Sequence, residues 1–239
     1  MSTTKLSVNI NKVALIRNAR GEFLPDLIKF AQDCESFGAD GITVHPRPDE
    51  RHVRFDDVPR LKEVVRTELN IEGNPTDRFM KLVLDVIPHQ CTLVPDDPNQ
   101  LTSDHGWDAR KHRDHLREVI AALQQKGIRV SIFVDDDPDM VEAAAETGTD
   151  RIELYTGPYA MKYTDNPAAA VSSYIETARR ALSFGLEINA GHDLNLENLQ
   201  YFVQSVPQVS EVSIGHALIS DALYYGIQNT IQMYKAKLV

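Results

Sequence analysis

Side chains that can transfer protons recur at the ends of short apolar runs in this chain. His45 closes the run GITVH, Glu72 closes NIE, and His192 follows LEINA in the segment NAGHDLN. Glu153 instead interrupts the run RIELY, where a carboxylate needs either a partner or a chemical role. Two carboxylates and two histidines at one site would supply an acid and a base near neutral pH. A structural salt bridge from Glu153 to Arg151 or to another barrel cation is the alternative interpretation.

Two segments have the composition of anion sites. In GITVHPRPDERH, Arg47, Arg51 and His52 follow the apolar run closely, and two prolines stiffen the loop that carries them. A capped strand followed by a solvated turn is the alternative there. In VSIGHALI, Gly215 and His216 stand at a helix start, where backbone N–H groups and the helix dipole favour a phosphate. The sequence therefore predicts two places for phosphorylated small molecules.

Composition restricts the class of protein. The 239 residues carry 25 Lys and Arg against 35 Asp and Glu, and the resulting net charge of −10 at pH 7 disfavours nucleic acid as a partner. The first residues lack the pattern of a signal peptide, and no apolar run is long enough to predict a membrane span. The two cysteines, Cys34 and Cys91, support neither a disulfide framework nor a zinc site, so we expect a cytoplasmic protein.

The elements that must position these side chains alternate along the chain. Eight short β-branched runs predict strands at 6–10, 41–45, 70–72, 91–94, 129–134, 151–155, 186–190 and 211–214. Eight amphipathic segments predict helices at 25–37, 57–69, 76–86, 108–126, 137–147, 167–184, 196–206 and 217–237. Glycines that follow helix ends predict left-handed helix stops at Gly38, Gly127, Gly148 and Gly185.

Eight strand and helix units at this length predict a single domain over residues 1–239, of the α/β class, folded as a (β/α)8 TIM barrel. An open doubly wound sheet is the alternative, although the first strand is not followed by the glycine-rich nucleotide motif. In a barrel the polar strand ends converge on the C-terminal face, where such folds hold active sites. Two long loops, 95–107 and 156–166, are expected over that face.

Segments distributed over essentially the whole chain resemble the pyridoxine 5′-phosphate synthase family. They are VNINKVALIRNARG, GADGITVHPRPDERH, LVPDD, SIFVDDDPDM, IELYTGPYA, INAGHDLN and SIGHALISDALYYG. The resemblance implies a barrel with additional helices that assembles as a homo-octamer. It also implies condensation of 1-deoxy-D-xylulose 5-phosphate with 3-amino-2-oxopropyl phosphate to pyridoxine 5′-phosphate, phosphate and water. Such chemistry needs proton transfers but no redox step, so neither a metal nor an organic cofactor is expected.

The resemblance also implies roles for individual residues. His45 and Glu72 match the acid/base pair, while His192 matches a proton donor and Glu153 a group that stabilises transition-state charge. The positions expected to hold deoxyxylulose phosphate are Arg47, His52 and Thr102. The positions expected to hold the amino-ketone phosphate are Asn9, Arg20, Gly215 and His216.

Three expected substrate-binding positions depart from the commoner family pattern. Asn11 and Lys12 stand where an acidic and an imidazole side chain are common, although Asn11 can bond a hydroxyl and Lys12 can meet an anion. Asp193 stands where many members have glycine, and it brings a negative charge beside a predicted phosphate contact. Around Glu72 the sequence NIEGNP replaces the usual N-x-E-M-A, with the carboxylate retained.

Two other functions remain open from the residues. A different phosphosugar barrel enzyme, an isomerase or an aldolase, would share the fold. A Schiff-base aldolase needs an inward-facing lysine, and none of the eight runs contains one between its ends. A barrel that only binds phosphorylated metabolites would lack the predicted catalytic residues, which are all present.

Overall fold

Eight parallel strands close into a barrel in the computed structural model, which describes residues 4–21, 23–97, 100 and 102–239. Each strand pairs with the next in the chain, and the last pairs with the first. The strands are β1 (Lys5–Asn9), β2 (Gly41–Val44), β3 (Glu68–Gly73), β4 (Gln90–Leu93), β5 (Arg129–Val134), β6 (Arg151–Tyr155), β7 (Glu187–Gly191) and β8 (Val209–Ile214). The predicted TIM barrel and all eight predicted strands are thus confirmed, with small shifts at their ends.

Eleven α-helices accompany the barrel within the described ranges. They are α1 (Asn11–Asn18), α2 (Leu27–Ser36), α3 (Asp57–Val64), α4 (Asp77–Val86), α5 (Ala109–Gln124), α6 (Val141–Glu146), α7 (Gly157–Lys162), α8 (Pro167–Ser183), α9 (Leu199–Ser205), α10 (His216–Tyr225) and α11 (Ile227–Ala236). A single 3₁₀ turn, Pro138–Met140, precedes α6. The four predicted glycine stops adopt the expected positive φ, from 75° at Gly127 to 102° at Gly38.

The structure corrects the predicted helices at three places. Helix α1 was missed, because its eight residues have no capping side chain at their start. Helix α7 occupies most of the predicted loop 156–166, so that loop prediction was wrong; Pro158 in its first turn is a usual helix start. The single helix predicted over 217–237 divides at Gly226, whose φ of 73° ends α10. Residues 98, 99 and 101 of the other predicted loop lie outside the described residues.

The outward and inward side chains of the strands differ in polarity. Outward residues such as Leu6, Val8, Ile42 and Ile71 are fully buried against the helices in one hydrophobic core. The alternate positions point into the barrel, because successive side chains of a strand face opposite sides. Many of those positions are polar, although Phe133 also faces the interior, and several of the polar side chains bond to one another across neighbouring strands. The bonds are Ser7 to Thr43 at 2.6 Å, Asn70 to Thr43 at 3.3 Å, and Thr92 to Asn70 at 3.1 Å.

Charged residues fill the N-terminal end of the barrel. Glu68 on β3 forms ion pairs with Lys5 of β1 and Arg129 of β5. Arg151 on β6 pairs with Glu187 of β7, and its guanidinium lies 3.8 Å from Glu211 of β8. The alternative interpretation of Glu153, a salt bridge to Arg151 or another barrel cation, is therefore wrong. Arg151 is engaged by other carboxylates, and Glu153 forms no ion pair among the described residues.

A buried ion pair attaches α1 to α3. The Arg17 guanidinium donates two hydrogen bonds of 2.8 Å to the carboxylate of Asp57, and both side chains are less than a tenth exposed. Asn18, at the end of α1, donates a 2.7 Å bond to the backbone carbonyl of His52. Helix α1 thus also holds the loop that carries the predicted phosphate-binding residues.

We expect Asp57→Ala to lower the free energy of unfolding by about 3 kcal/mol, because it leaves the Arg17 charge buried without a partner. Asp33→Ala is the control, since Asp33 forms an exposed pair with Lys29 one helical turn away, and its loss should cost less than about 0.5 kcal/mol. Urea denaturation measures both. A loss for Asp57→Ala no larger than for Asp33→Ala would contradict this assignment.

Candidate active site

A cavity of about 530 Å³ lies at the C-terminal end of the barrel. All the predicted site residues except Arg20 line it: Asn9, Asn11, Lys12, His45, Arg47, His52, Glu72, Thr102, Glu153, His192, Asp193, Gly215 and His216. Arg20 lies exposed in the turn after α1, outside this lining, and its role stays a prediction. The structure therefore brings together residues from distant parts of the sequence, as expected for strand ends of one barrel.

A chain of hydrogen bonds joins Glu72 to His45. The Asn9 amide donates to Glu72 Oε2 at 3.4 Å, and Asn9 Oδ1 accepts from the Asn11 backbone N–H at 3.1 Å. Asn11 Oδ1 in turn accepts from the backbone N–H of His45 at 2.9 Å. Asn11 thus fixes the backbone at the end of β2, a structural role that the sequence did not reveal because helix α1 was missed.

The two histidines of the β2 end are both held neutral. Burial, followed by the charges of Arg47 and His52, lowers the pKa of His45 well below its usual value. Burial and the charges of Arg47 and Lys12 lower the pKa of His52 to about 4. His52 Nδ1 accepts a 3.0 Å bond from the Val53 backbone N–H, so the neutral ring carries its proton on Nε2. His52 therefore presents a neutral hydrogen-bond donor to the cavity rather than the positive charge that the sequence suggested.

The carboxyl groups of Glu72 and Glu153 are also kept neutral by their surroundings, in their case by retaining a proton. Burial, and then the proximity of Glu153, Asp96 and Glu211, raises the pKa of Glu72 well above its usual range. Burial and the charge of Glu211 raise the pKa of Glu153 to about 8, against a weaker opposing effect of a hydrogen bond from Thr92. Both carboxyl groups thus retain protons near neutral pH in the substrate-free protein.

Arg47 is held by residues that the sequence analysis missed. Its guanidinium pairs with the buried Asp96 carboxylate and donates a 2.9 Å bond to the backbone carbonyl of Gln100. Ser103 also donates to Asp96, at 2.7 Å. Arg51 donates to the same Gln100 carbonyl at 3.2 Å. The only available signal was the segment LVPDD, which places an aspartate just after β4.

His192 follows β7 and lines the cavity. Its Nε2 lies 2.9 Å from Thr102 Oγ1, and its Nδ1 lies 3.0 Å from Asp193 Oδ2. The edge of the imidazole meets the Tyr155 ring, with centroids 5.3 Å apart. Tyr155 was not among the predicted site residues, although its position at the end of β6 could have indicated it.

The helix start after β8 is the second predicted anion site. No side chain caps the first turn of α10, so its backbone N–H groups are available to a ligand. A Cβ at Gly215 would lie 3.1 Å from that of Asn9, which shows how closely the backbone approaches β1 here. The remaining lining residues are Leu15, Arg51, Val94, Ser103, Phe133 and Ser213, and of these the sequence pointed only to Arg51.

Within the described parts of the chain, no group of three or more His, Cys, Asp or Glu side chains is arranged to hold a metal ion. No helix among the described residues is long and apolar enough to span a membrane.

The raised pKa of Glu153 makes stability depend on pH. A carboxyl whose pKa is higher in the folded state stabilises the fold below its unfolded pKa of about 4.3, and this contribution is lost as the pH rises through about 8. We therefore expect the wild-type free energy of unfolding to fall across this window, and that of Glu153→Gln to fall less. Urea denaturation at several pH values measures both. Glu176→Gln, at an exposed position of α8, is the control, and an equal pH dependence in all three proteins would contradict the assignment.

The sequence of this chain is similar to proteins of one known family. Residues 6–239 match the family described as pyridoxal phosphate biosynthesis protein PdxJ. Pyridoxine 5′-phosphate synthase of Bacteroides thetaiotaomicron is 60% identical over 232 residues, which cover 97% of this chain and 98% of that protein. The synthase of Parabacteroides distasonis is 58% identical over 235 residues, which cover 98% of this chain and 99% of that protein.

Solved structures of other barrels are similar in fold. A 3-keto-L-gulonate-6-phosphate decarboxylase from Vibrio cholerae superposes with a TM-score of 0.67 at 10% identity, covering 99% of this chain and 98% of that chain. A tryptophan synthase from M. tuberculosis gives 0.68 at 13% identity, covering 99% and 93%. These likenesses concern the fold alone. The sequence matches extend over nearly the whole chain and carry the assignment: the chain belongs to the PdxJ family of pyridoxine 5′-phosphate synthases, and it is an enzyme.

Proposed function

We propose that this enzyme condenses 1-deoxy-D-xylulose 5-phosphate with 3-amino-2-oxopropyl phosphate, forming pyridoxine 5′-phosphate, phosphate and water by acid/base catalysis. The observation that carries the proposal is the convergence of His45, Glu72, Glu153 and His192 on one cavity. Acids and bases of unequal strength in one place suit a ring closure that consists of successive proton transfers. Incubating the purified protein with both substrates and measuring pyridoxine 5′-phosphate and phosphate tests it. Absence of product would refute it.

The protonation states suggest which residue accepts a proton and which residue donates one. Burial and the nearby Arg47 keep the imidazole of His45 neutral, with a lone pair that can accept a proton. Burial and Glu153 favour the protonated carboxyl of Glu72, which has a proton to donate. The two groups are connected through Asn9 and Asn11, which keep them in a fixed relation. In this scheme Glu153 stabilises positive charge only after it has released its own proton.

Two phosphates need two anion sites, and the cavity has two candidates. Arg47, with His52 and Thr102, would hold deoxyxylulose phosphate through a charged fork and neutral donors. Gly215 and His216, at the start of α10, would hold the amino-ketone phosphate through backbone N–H groups, with Asn9 beside them. Lys12 lies on the cavity wall and adds a cation.

The same proposal includes a single domain over residues 1–239, a homo-octamer, a cytoplasmic location and no requirement for a metal or an organic cofactor. The barrel extends over strands from both ends of the chain, which supports one folding unit. Exposed apolar side chains on α1 and α10, such as Leu15, Ile16, Leu223 and Tyr224, are suited to contacts between subunits. Cys34 and Cys91 are buried free thiols, as a reducing compartment allows.

We expect Glu72→Gln and His45→Asn each to lower kcat by about 10²-fold or more, the usual size of an acid/base contribution. Both replacements retain approximate size, so the far-UV circular dichroism should not change. Steady-state formation of pyridoxine 5′-phosphate provides the measurement. Rates near wild type in both variants would show that the proton transfers are assigned to the wrong residues.

The two anion sites should be separable by substitution. Arg47→Lys keeps the charge but removes the guanidinium fork, and we expect it to raise the KM for deoxyxylulose phosphate about tenfold, the value of one charge-assisted hydrogen bond. Gly215→Ala places a methyl group against Asn9 and should raise the KM for the amino-ketone phosphate instead. Each variant is the control for the other. Equal effects on both KM values would argue against two distinct sites.

A further inference from the structure

The turn after β7 has an unusual backbone. His192 has a φ of 84° and Asp193 a φ of 60°, so two consecutive residues with side chains occupy the left-handed region that favours glycine. Buried groups hold the turn in this form. Thr156 donates to the carbonyls of Gly191 and His192, and Asn198 donates to the carbonyl of Asp193 at 3.2 Å. A strained, firmly held backbone at a site residue points to a functional reason for the residues that occupy it.

Both ring nitrogens of His192 have partners of different chemistry. The Asp193 carboxylate on Nδ1, at 3.0 Å, can only accept a hydrogen bond when ionised. The hydrogen bond from His192 holds the pKa of Asp193 below its usual range, so this carboxylate is ionised near neutral pH. Nδ1 must then carry a proton in the neutral as well as in the charged ring. The Thr102 hydroxyl on Nε2, at 2.9 Å, can instead either donate or accept.

We propose that Asp193 is a positioning residue that fixes a proton on His192 Nδ1, so that His192 exchanges protons with substrate only through Nε2, beside the Thr102 hydroxyl. The inference rests on the proposed role of His192 as a proton donor. In the charged ring Nε2–H donates to Thr102. As the Thr102 hydroxyl passes its own proton to the substrate, the Nε2 proton moves to Thr102 Oγ1, and the new hydroxyl then donates to Nε2. Both states of the ring thereby keep two hydrogen bonds.

This role also accounts for a carboxylate beside the second anion site. Asp193 lies in the field of His192, His216 and Lys12, which all favour its ionised form. A protonated His192 offsets the negative charge of Asp193 while the amino-ketone phosphate is bound. Glycine at this position would relax the backbone but leave the ring without a partner on Nδ1. The aspartate thus leaves the backbone strained but gives the imidazole a defined tautomer.

The spectroscopic test uses solid-state ¹⁵N NMR of full-length protein labelled only at histidine, with the His192 signals assigned by their loss in His192→Gln. At a pH where the ring is neutral, the wild type should show protonated Nδ1 and unprotonated Nε2. Asp193→Gly, which relieves the backbone strain, should shift the ring toward the Nε2–H tautomer. Asp193→Asn should lie between the two, because its amide oxygen also accepts. An unchanged His192 tautomer in Asp193→Gly would overturn the proposal.

Kinetics separate this inference from the proposed function. We expect Asp193→Gly to lower kcat about tenfold. Replacing the buried aspartate that orients the histidine of a serine protease lowers kcat by up to about 10⁴-fold. The effect here should be smaller, because Asp193 is half exposed. Asp193→Asn should recover part of this loss. If His192→Gln has wild-type kcat, the role of His192 itself is wrong. If His192→Gln is inactive while Asp193→Gly has wild-type kcat, only the positioning role is wrong.

Discussion

Burial of carboxylates inside the barrel is the constraint on which the site depends. At the N-terminal end, burial opposes the ionisation of Glu68, but hydrogen bonds from Lys5 and Arg129 outweigh it and lower its pKa to about 2. One level higher, Glu153 forms no ion pair among the described residues, and its pKa rises to about 8. Glu68 is therefore an anion near neutral pH, whereas burial favours the protonated form of Glu153. Neighbouring cations decide between the two.

The distribution of charge in the cavity follows from this difference between Glu68 and Glu153. Cations on the cavity wall lie mainly around the end of β2, where Arg47 is already compensated by Asp96 and His45 is kept neutral. They do not reach the carboxyls of Glu72 and Glu153 closely enough to ionise them. A substrate phosphate and a protonated carboxyl can consequently occupy one cavity without mutual repulsion.

Much of the architecture was predictable from the sequence. The eight strands follow from β-branched runs, and glycines such as Gly38 and Gly185 mark the preceding helix ends because only a residue without Cβ adopts that backbone freely. The helices α1 and α7 were missed because they are short and their stability comes from tertiary contacts rather than from caps or propensity. The buried pair of Arg17 and Asp57 illustrates such a contact, since its partners are forty residues apart.

The candidate site was predictable in a different way. His45, Glu72 and His192 were found because polar residues at strand ends must meet in a barrel, and Glu153 because it interrupts an apolar strand. Protonation states were not predictable, since they depend on which groups surround a side chain in three dimensions. Sequence position suggested that His52 contributes a charge, whereas burial and neighbouring cations keep it neutral. The partner of Arg47 was missed for the same reason, because Asp96 meets it only after the barrel closes.

The alternation of outward apolar and inward polar residues, seen along β1, has an evolutionary consequence. Leu6 and Val8 secure the helices, while Ser7 and Asn9 between them face the interior, so stability and chemistry draw on separate positions of the same five-residue segment. An inward residue can therefore be replaced during evolution without disturbing the packing between the outward residues and the helices. Departures such as Asn11, Lys12 and Asp193, at the rim of the barrel, could accumulate while the scaffold stayed unchanged.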